Sequence, residues 1–137
     1  MFTTVLFPVD KSREAREAAE TVANIVKTYN SRLILLSVVE EPSEEQKTEQ
    51  GRIIESADAV AKLLQGAKAL FANKGIEADI IEREGMPSFA ICDVADEVNA
   101  DLIIMGCRGL GLTMEGASES VTNRVINLSP CPVLIIP

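Results

Sequence analysis

The strongest constraint on the fold of this chain is a set of short, nearly uninterrupted apolar runs separated by segments with helical periodicity. Thr3 to Val9 (TTVLFPV), Leu33 to Val39 (LILLSVV), Asp101 to Met105 (DLIIM) and Pro132 to Ile136 (PVLII) are apolar at consecutive positions. A strand with one face in water alternates apolar and polar residues, whereas a strand covered on both faces does not. Ile76 to Arg83 alternates more, with Ile76, Ala78 and Ile80 set against Glu77 and Asp79. That pattern suits a strand at a sheet edge.

Between these runs, apolar residues recur at helical spacing. Ala15, Ala18, Ala19, Val22, Ile25, Val26 and Tyr29 form one face, with Ser12 placed to cap the helix and Glu14 in its first turn. Ile53, Ala57, Val60, Ala61, Leu64, Ala67 and Phe71 form a second. Asn73-Lys74-Gly75 ends that helix, and Gly75 suits a left-handed cap. Gly85-Met86-Pro87 opens a third helix, with Pro87 in its first turn and Ile91, Val94, Ala95 and Val98 inward. Ser118 or Ser120 begins a short fourth helix, with Val121, Val125 and Leu128 inward. Glu40 to Gln50 is acidic, contains Pro42, and reads as an exposed loop or frayed helix start.

The order βαβαβαβαβ predicts one α/β domain over residues 1–137, an open five-stranded parallel sheet with helices on both faces. Such sheets bind ligands beyond the carboxyl ends of their strands, where strand order reverses. Asp10, Val38, Gly106 and the start of the last helix all fall at those ends. Residues distant in sequence therefore converge on one rim.

Charge and residue usage exclude several functions. The net charge is −8, which argues against nucleic acid and against an anionic membrane surface as partners. A small phosphorylated ligand stays compatible, because backbone N–H groups hold phosphate without net positive charge. No apolar run approaches the ~20 residues of a membrane span, and MFTTVLFPVDKS lacks the features of a signal peptide. The chain has no histidine, and Cys92, Cys107 and Cys131 are widely spaced. A zinc site has no support, His-based catalysis is excluded, and reduced thiols in a cytoplasmic protein are the expectation.

One segment carries ligand chemistry. Residues Gly106 to Thr122 read GCRGLGLTMEGASESVT, leaving a buried strand and entering a helix. Glycines there allow a sharp turn and close approach of a ligand to the backbone, and the helix start attracts anions. The spacing is not a Walker A loop, since Gly-Lys-Ser/Thr does not occur. Nor is it the dinucleotide fingerprint, since Gly106, Gly109 and Gly111 read G-x-x-G-x-G. A flexible strand-to-helix connection is the alternative reading of the segment alone.

The segment resembles the G-x2-G-x9-G-S/T motif, with a following Val and hydroxyl, of universal stress proteins that bind ATP. Gly106, Gly109, Ser120, Val121 and Thr122 match it without gaps. VLFPVDKS, LLSVVE, DLIIMGCRG and SPCPVLII resemble the family's first, second, fourth and fifth strands, so the likeness spans the chain. The resemblance implies strand order 3-2-1-4-5 and a nucleotide site at Pro8, Val9, Asp10, Val38, Met105, Gly106, Arg108, Gly109, Ser120, Val121 and Thr122. In it Asp10 and the Val38 backbone contact adenine, and Arg108 is a candidate phosphate partner.

Position 119 departs from the motif, with Glu119 in place of its third glycine. A glutamate there adds bulk and a negative charge beside the phosphates, and like charges ~4–5 Å apart cost on the order of a kcal/mol at intermediate dielectric. A glutamate in a first helical turn also simply complements the helix dipole. Three ligand states stay open: AMP or ADP, ATP with a divalent cation such as Mg²⁺, or an abandoned site. Asp10 and Glu119 are the candidate bases for hydrolysis, and the segment holds no lysine, so a nucleotide-responsive regulator is favoured over an enzyme. No catalytic or metal-ligating residue is assigned. The alternative is a dimeric interaction module that binds no nucleotide. Family members pair their last strand across a two-fold axis, so a homodimer through Pro132 to Ile136 is expected.

Overall fold

The apolar runs form five parallel strands: β1 (Thr4–Pro8), β2 (Arg32–Val39), β3 (Ala78–Glu84), β4 (Leu102–Gly106) and β5 (Val133–Ile136). Between them lie α1 (Arg13–Tyr29), α2 (Gln50–Asn73), α3 (Pro87–Glu97) and α4 (Ala117–Leu128). The structure is a computed structural model. It describes residues 1–9, 13–39, 50–106 and 117–137, with side chains at 1–9, 18–39, 59, 61–106 and 121–137. Ser12, the acidic stretch before Gln50 and Cys107 lie outside the described residues.

The sheet order is β3-β2-β1-β4-β5, as expected. Val5 to Phe7, Leu33 to Leu36 and Leu102 to Met105 are buried at successive positions, which is why these strands read as continuous apolar runs. Right-handed crossovers place α1 and α2 on one face and α3 and α4 on the other. On the first face, Phe7 meets Phe71 of α2 edge-on, ring centroids 6.2 Å apart, beside Val22, Val26 and Leu64. On the second, Leu6, Ile34, Leu36, Ile103 and Met105 pack against Ile91, Val94 and Val125.

β3 lies at one edge of the sheet, and its last three residues are exposed. Gly75 adopts φ +81, the left-handed cap its position after α2 suggested. Four details differ from the sequence reading. The fourth helix begins at Ala117, one residue before Ser118, and has 12 residues. Tyr29, at the end of α1, is exposed and stacks edge-on against Phe2 at 5.1 Å rather than entering the core. Leu128 likewise ends its helix beyond the sheet and is exposed. Ala61 is exposed because the buried stripe of α2 runs through Leu63, Leu64, Ala67 and Phe71. Six residues before Ala67 is about 120° away around a helix, outside that stripe. Among the described residues no helix is long and apolar enough to cross a membrane.

Candidate functional site

The central pairing of the sheet is its shortest. Among the described residues, β1 and β4 pair through Val5 with Leu102 and Leu6 with Ile103, and no further. Yet β1 continues to Pro8 opposite Leu36 of β2, and β4 continues to Gly106 opposite Ile136 of β5. The sequence supplies the cause. Successive N–H groups of a strand point to opposite neighbours. The Val9 N–H donates to the Leu36 carbonyl at 2.8 Å, so the Pro8 nitrogen faces β4 and has no hydrogen to give. The ladder ends below it, so the carboxyl ends of β1 and β4 are left without a paired register. This is also where successive connections leave in opposite directions, the switch point at which such sheets take ligands.

Pro8 and Val9 follow the last paired residue on the β1 side, and Met105 and Gly106 end the β4 side. Pro8, Val9 and Met105 are buried, and Gly106 is half-buried. Among the described residues, a Cβ built at Gly106 meets nothing nearer than the Ile136 carbonyl oxygen at 4.0 Å. Val38 lies near the end of β2, half-buried against the α3 side and in register with Arg83. Val121 and Thr122 sit in the second turn of α4, half-buried and buried respectively. Asp10, Arg108 and Gly109 lie outside the described residues. Glu119 and Ser120 belong to the first turn of α4, with side chains outside the described set.

The structure adds a residue that the sequence reading passed over. Ser88 Oγ and Thr122 Oγ1 are both shut away from solvent without a hydrogen-bond partner among the described residues. A buried unpaired hydroxyl costs about 1–3 kcal/mol. Ser88 follows Pro87 in the first turn of α3, whose N-cap, Met86, makes no side-chain capping bond. Gly85, at φ +140, donates its N–H to the Val39 carbonyl at 2.9 Å and so ties the start of α3 to the end of β2. A serine in the first turn of a helix that starts at the rim was the available signal.

Among the described residues, no group of three or more acidic, histidine or cysteine side chains stands together to hold a metal ion. The Cys92 thiol is pushed up from the ordinary thiol range chiefly by burial, with Asp93 and then Cys131 adding to the shift. Burial likewise raises the Cys131 thiol, and the Ser129 hydroxyl bond opposes the rise. Both are protonated near neutral pH and make poor nucleophiles.

Comparison with known proteins matches the sequence model of the universal stress protein family to residues 1–137. Universal stress protein Sll1654 of Synechocystis is 65% identical, the match covering 100% of this chain and 87% of the relative. Universal stress protein UspA from Lactobacillus plantarum superposes with a TM-score of 0.84 at 24% identity, covering 99% of this chain and 98% of that one. The universal stress protein from Archaeoglobus fulgidus in complex with dAMP superposes with a TM-score of 0.73 at 25% identity, over 99% and 98% of the two chains.

Proposed function

The chain belongs to the universal stress protein family, and from that premise we propose that it is a stress-response protein that binds an adenine nucleotide at the carboxyl ends of β1 and β4. The observation that carries this reading is the end of the β1–β4 register at Leu6 and Ile103, below Pro8, at the switch point of the sheet. The dAMP bound by the Archaeoglobus relative supports an adenine nucleotide as the ligand class. In this reading Pro8, Val9, Asp10 and Val38 serve the adenine side. Met105, Gly106, Arg108, Gly109 and the start of α4, with Ser120, Val121 and Thr122, serve the sugar and phosphates.

Glu119 bears on the phosphate count, because a carboxylate in the first turn of α4 opposes a triphosphate unless a cation bridges the two. AMP or ADP, or ATP with Mg²⁺, are therefore the proposed ligands. Acid extraction of the purified protein, followed by chromatography, identifies any nucleotide it carries. Titration of Glu119→Gly then tests the bulk and charge of the side chain together, and a gain in Mg²⁺-free ATP affinity over wild type is expected. Unchanged ATP affinity would refute the electrostatic argument.

Binding rather than turnover is the proposed role, with the nucleotide setting how the protein engages its partners. A second reading, a nucleotide-free dimeric interaction module, draws on β5. Leu134 on that edge strand is 37% exposed, and Val133, Ile135 and Ile136 are half-buried. An apolar edge of this kind invites a second copy. Absence of binding of every adenine nucleotide at millimolar concentration would favour that module.

A further inference from the structure

From Gly85 to Pro137 the chain carries two basic residues, Arg108 and Arg124, against six acidic ones. Arg124 lies in α4 and is exposed. Among the described residues the ion pairs are Arg32 with Asp79 and Arg83 with Glu97, and Arg124 enters neither. Its partner there is instead the thioether of Met86, with Nη1 3.7 Å from Sδ. Thioether sulfur is a weak acceptor, and a guanidinium carries five N–H donors. The exposed carboxylates Asp93 and Asp96 of the neighbouring helix stand roughly 10 and 15 Å further down α3 than Met86, at 1.5 Å per residue. The arginine side chain therefore runs away from them and toward the rim. In doing so it follows the usual slope of a helical side chain, back over the turn that holds Ser120 and Val121.

Both ends of this contact belong to the rim. Met86 is the N-cap of α3 and follows Gly85, whose N–H donates to the Val39 carbonyl at 2.9 Å. It thus stands beside the end of β2, next to Val38 on the adenine side. Ser120 to Thr122, on the phosphate side, start α4. The guanidinium reaches from one to the other, at the level where both helices present their positive ends. A cation held there by a thioether, in a half of the chain rich in carboxylates, is matched by an anion from outside the described residues.

We propose that Arg124 is a further ligand-contacting residue of the nucleotide site, its guanidinium pairing with a phosphate oxygen at the starts of α3 and α4. This inference rests on the nucleotide reading above and adds to it the residue that favours a phosphorylated ligand over a bare nucleoside. An arginine stays charged at every working pH, and its planar fork fits two oxygens of one phosphate.

The test uses the full chain, with adenosine, AMP and ADP as probes in calorimetric titrations. Arg124→Gln removes the charge, and Arg124→Lys keeps it without the fork. The expected result is an affinity for AMP and ADP lowered about tenfold or more in Arg124→Gln, the worth of one hydrogen bond to a charged group. Arg124→Lys recovers part of that loss, and adenosine affinity stays unchanged in both variants. The AMP affinity of the wild type also falls more steeply with added salt than that of Arg124→Gln. Unchanged AMP affinity in Arg124→Gln would overturn the inference while leaving the nucleotide site intact. So would an equal fall for adenosine, the sign of a merely structural role. Failure of the wild type to bind any of the three probes would instead overturn the nucleotide reading, and this inference with it.

Discussion

Gly106 is the point at which fold and site make opposite demands. It ends β4 at the rim, its φ lies outside the left-handed region, and a Cβ there meets the Ile136 carbonyl oxygen at 4.0 Å, an ordinary contact. The free fold accommodates alanine at this position. Alanine also restricts the unfolded chain, so Gly106→Ala is expected to raise stability by about 0.4–1 kcal/mol. For a chain of this size that corresponds to ~1–4 °C in melting temperature. The ligand is affected in the opposite direction. If the glycine serves to let a nucleotide approach the backbone, a methyl group at that point should lower AMP affinity about tenfold, the worth of one lost hydrogen bond to a charged group. Thermal melts and calorimetric titration with AMP, on wild type and variant side by side, read both signs. A lower melting temperature would show that the glycine serves the fold. Unchanged affinity would show that Gly106 does not meet the ligand.

Other expectations follow from packing, edge exposure and titration. Phe71→Ala removes one of two fully buried rings in edge-on contact and should cost about 3–5 kcal/mol in urea unfolding; a loss below 1 kcal/mol would contradict the packing. Leu134→Arg on β5 should convert a dimer to a monomer in light scattering at micromolar concentration, and a monomeric wild type would refute pairing through this strand. Burial holds the Cys92 and Cys131 thiols protonated to higher pH than in the unfolded chain, so between those pKa values the folded state binds more protons. Stability from this source is intact below the ordinary thiol value of 9.0 and is lost as pH rises from there through the raised folded values. Melts across this range should fall less steeply in the Cys92→Ala, Cys131→Ala double variant than in wild type.

Much of the fold was legible because it follows from local patterns that tertiary context does not override. Runs such as Leu33 to Leu36 are apolar at every position because both faces of the sheet are covered. Gly75 marked a left-handed cap because few other residues adopt that conformation readily. Two of the errors fell at the last residues of helices. Tyr29 and Leu128 are apolar residues at helix ends, and periodicity alone does not say where the covering layer stops. In the site, the sequence showed which residues fall at the rim but not where the β1–β4 register ends. Pro8 entered the site through the resemblance of the first strand, while its effect depends on which neighbour its nitrogen faces, and that is set by the register with β2. Ser88 escaped notice because its significance lies in burial without a partner, a property of the packed structure.

The central claim, that the rim at the carboxyl ends of β1 and β4 takes an adenine nucleotide, is tested most directly by calorimetric titration of the wild-type chain. AMP, ADP and ATP would each be titrated with and without Mg²⁺. The account predicts saturable binding of AMP or ADP without metal, and binding of ATP that strengthens when Mg²⁺ is present. No saturable heat from any of the three at millimolar concentration, with or without Mg²⁺, would contradict it.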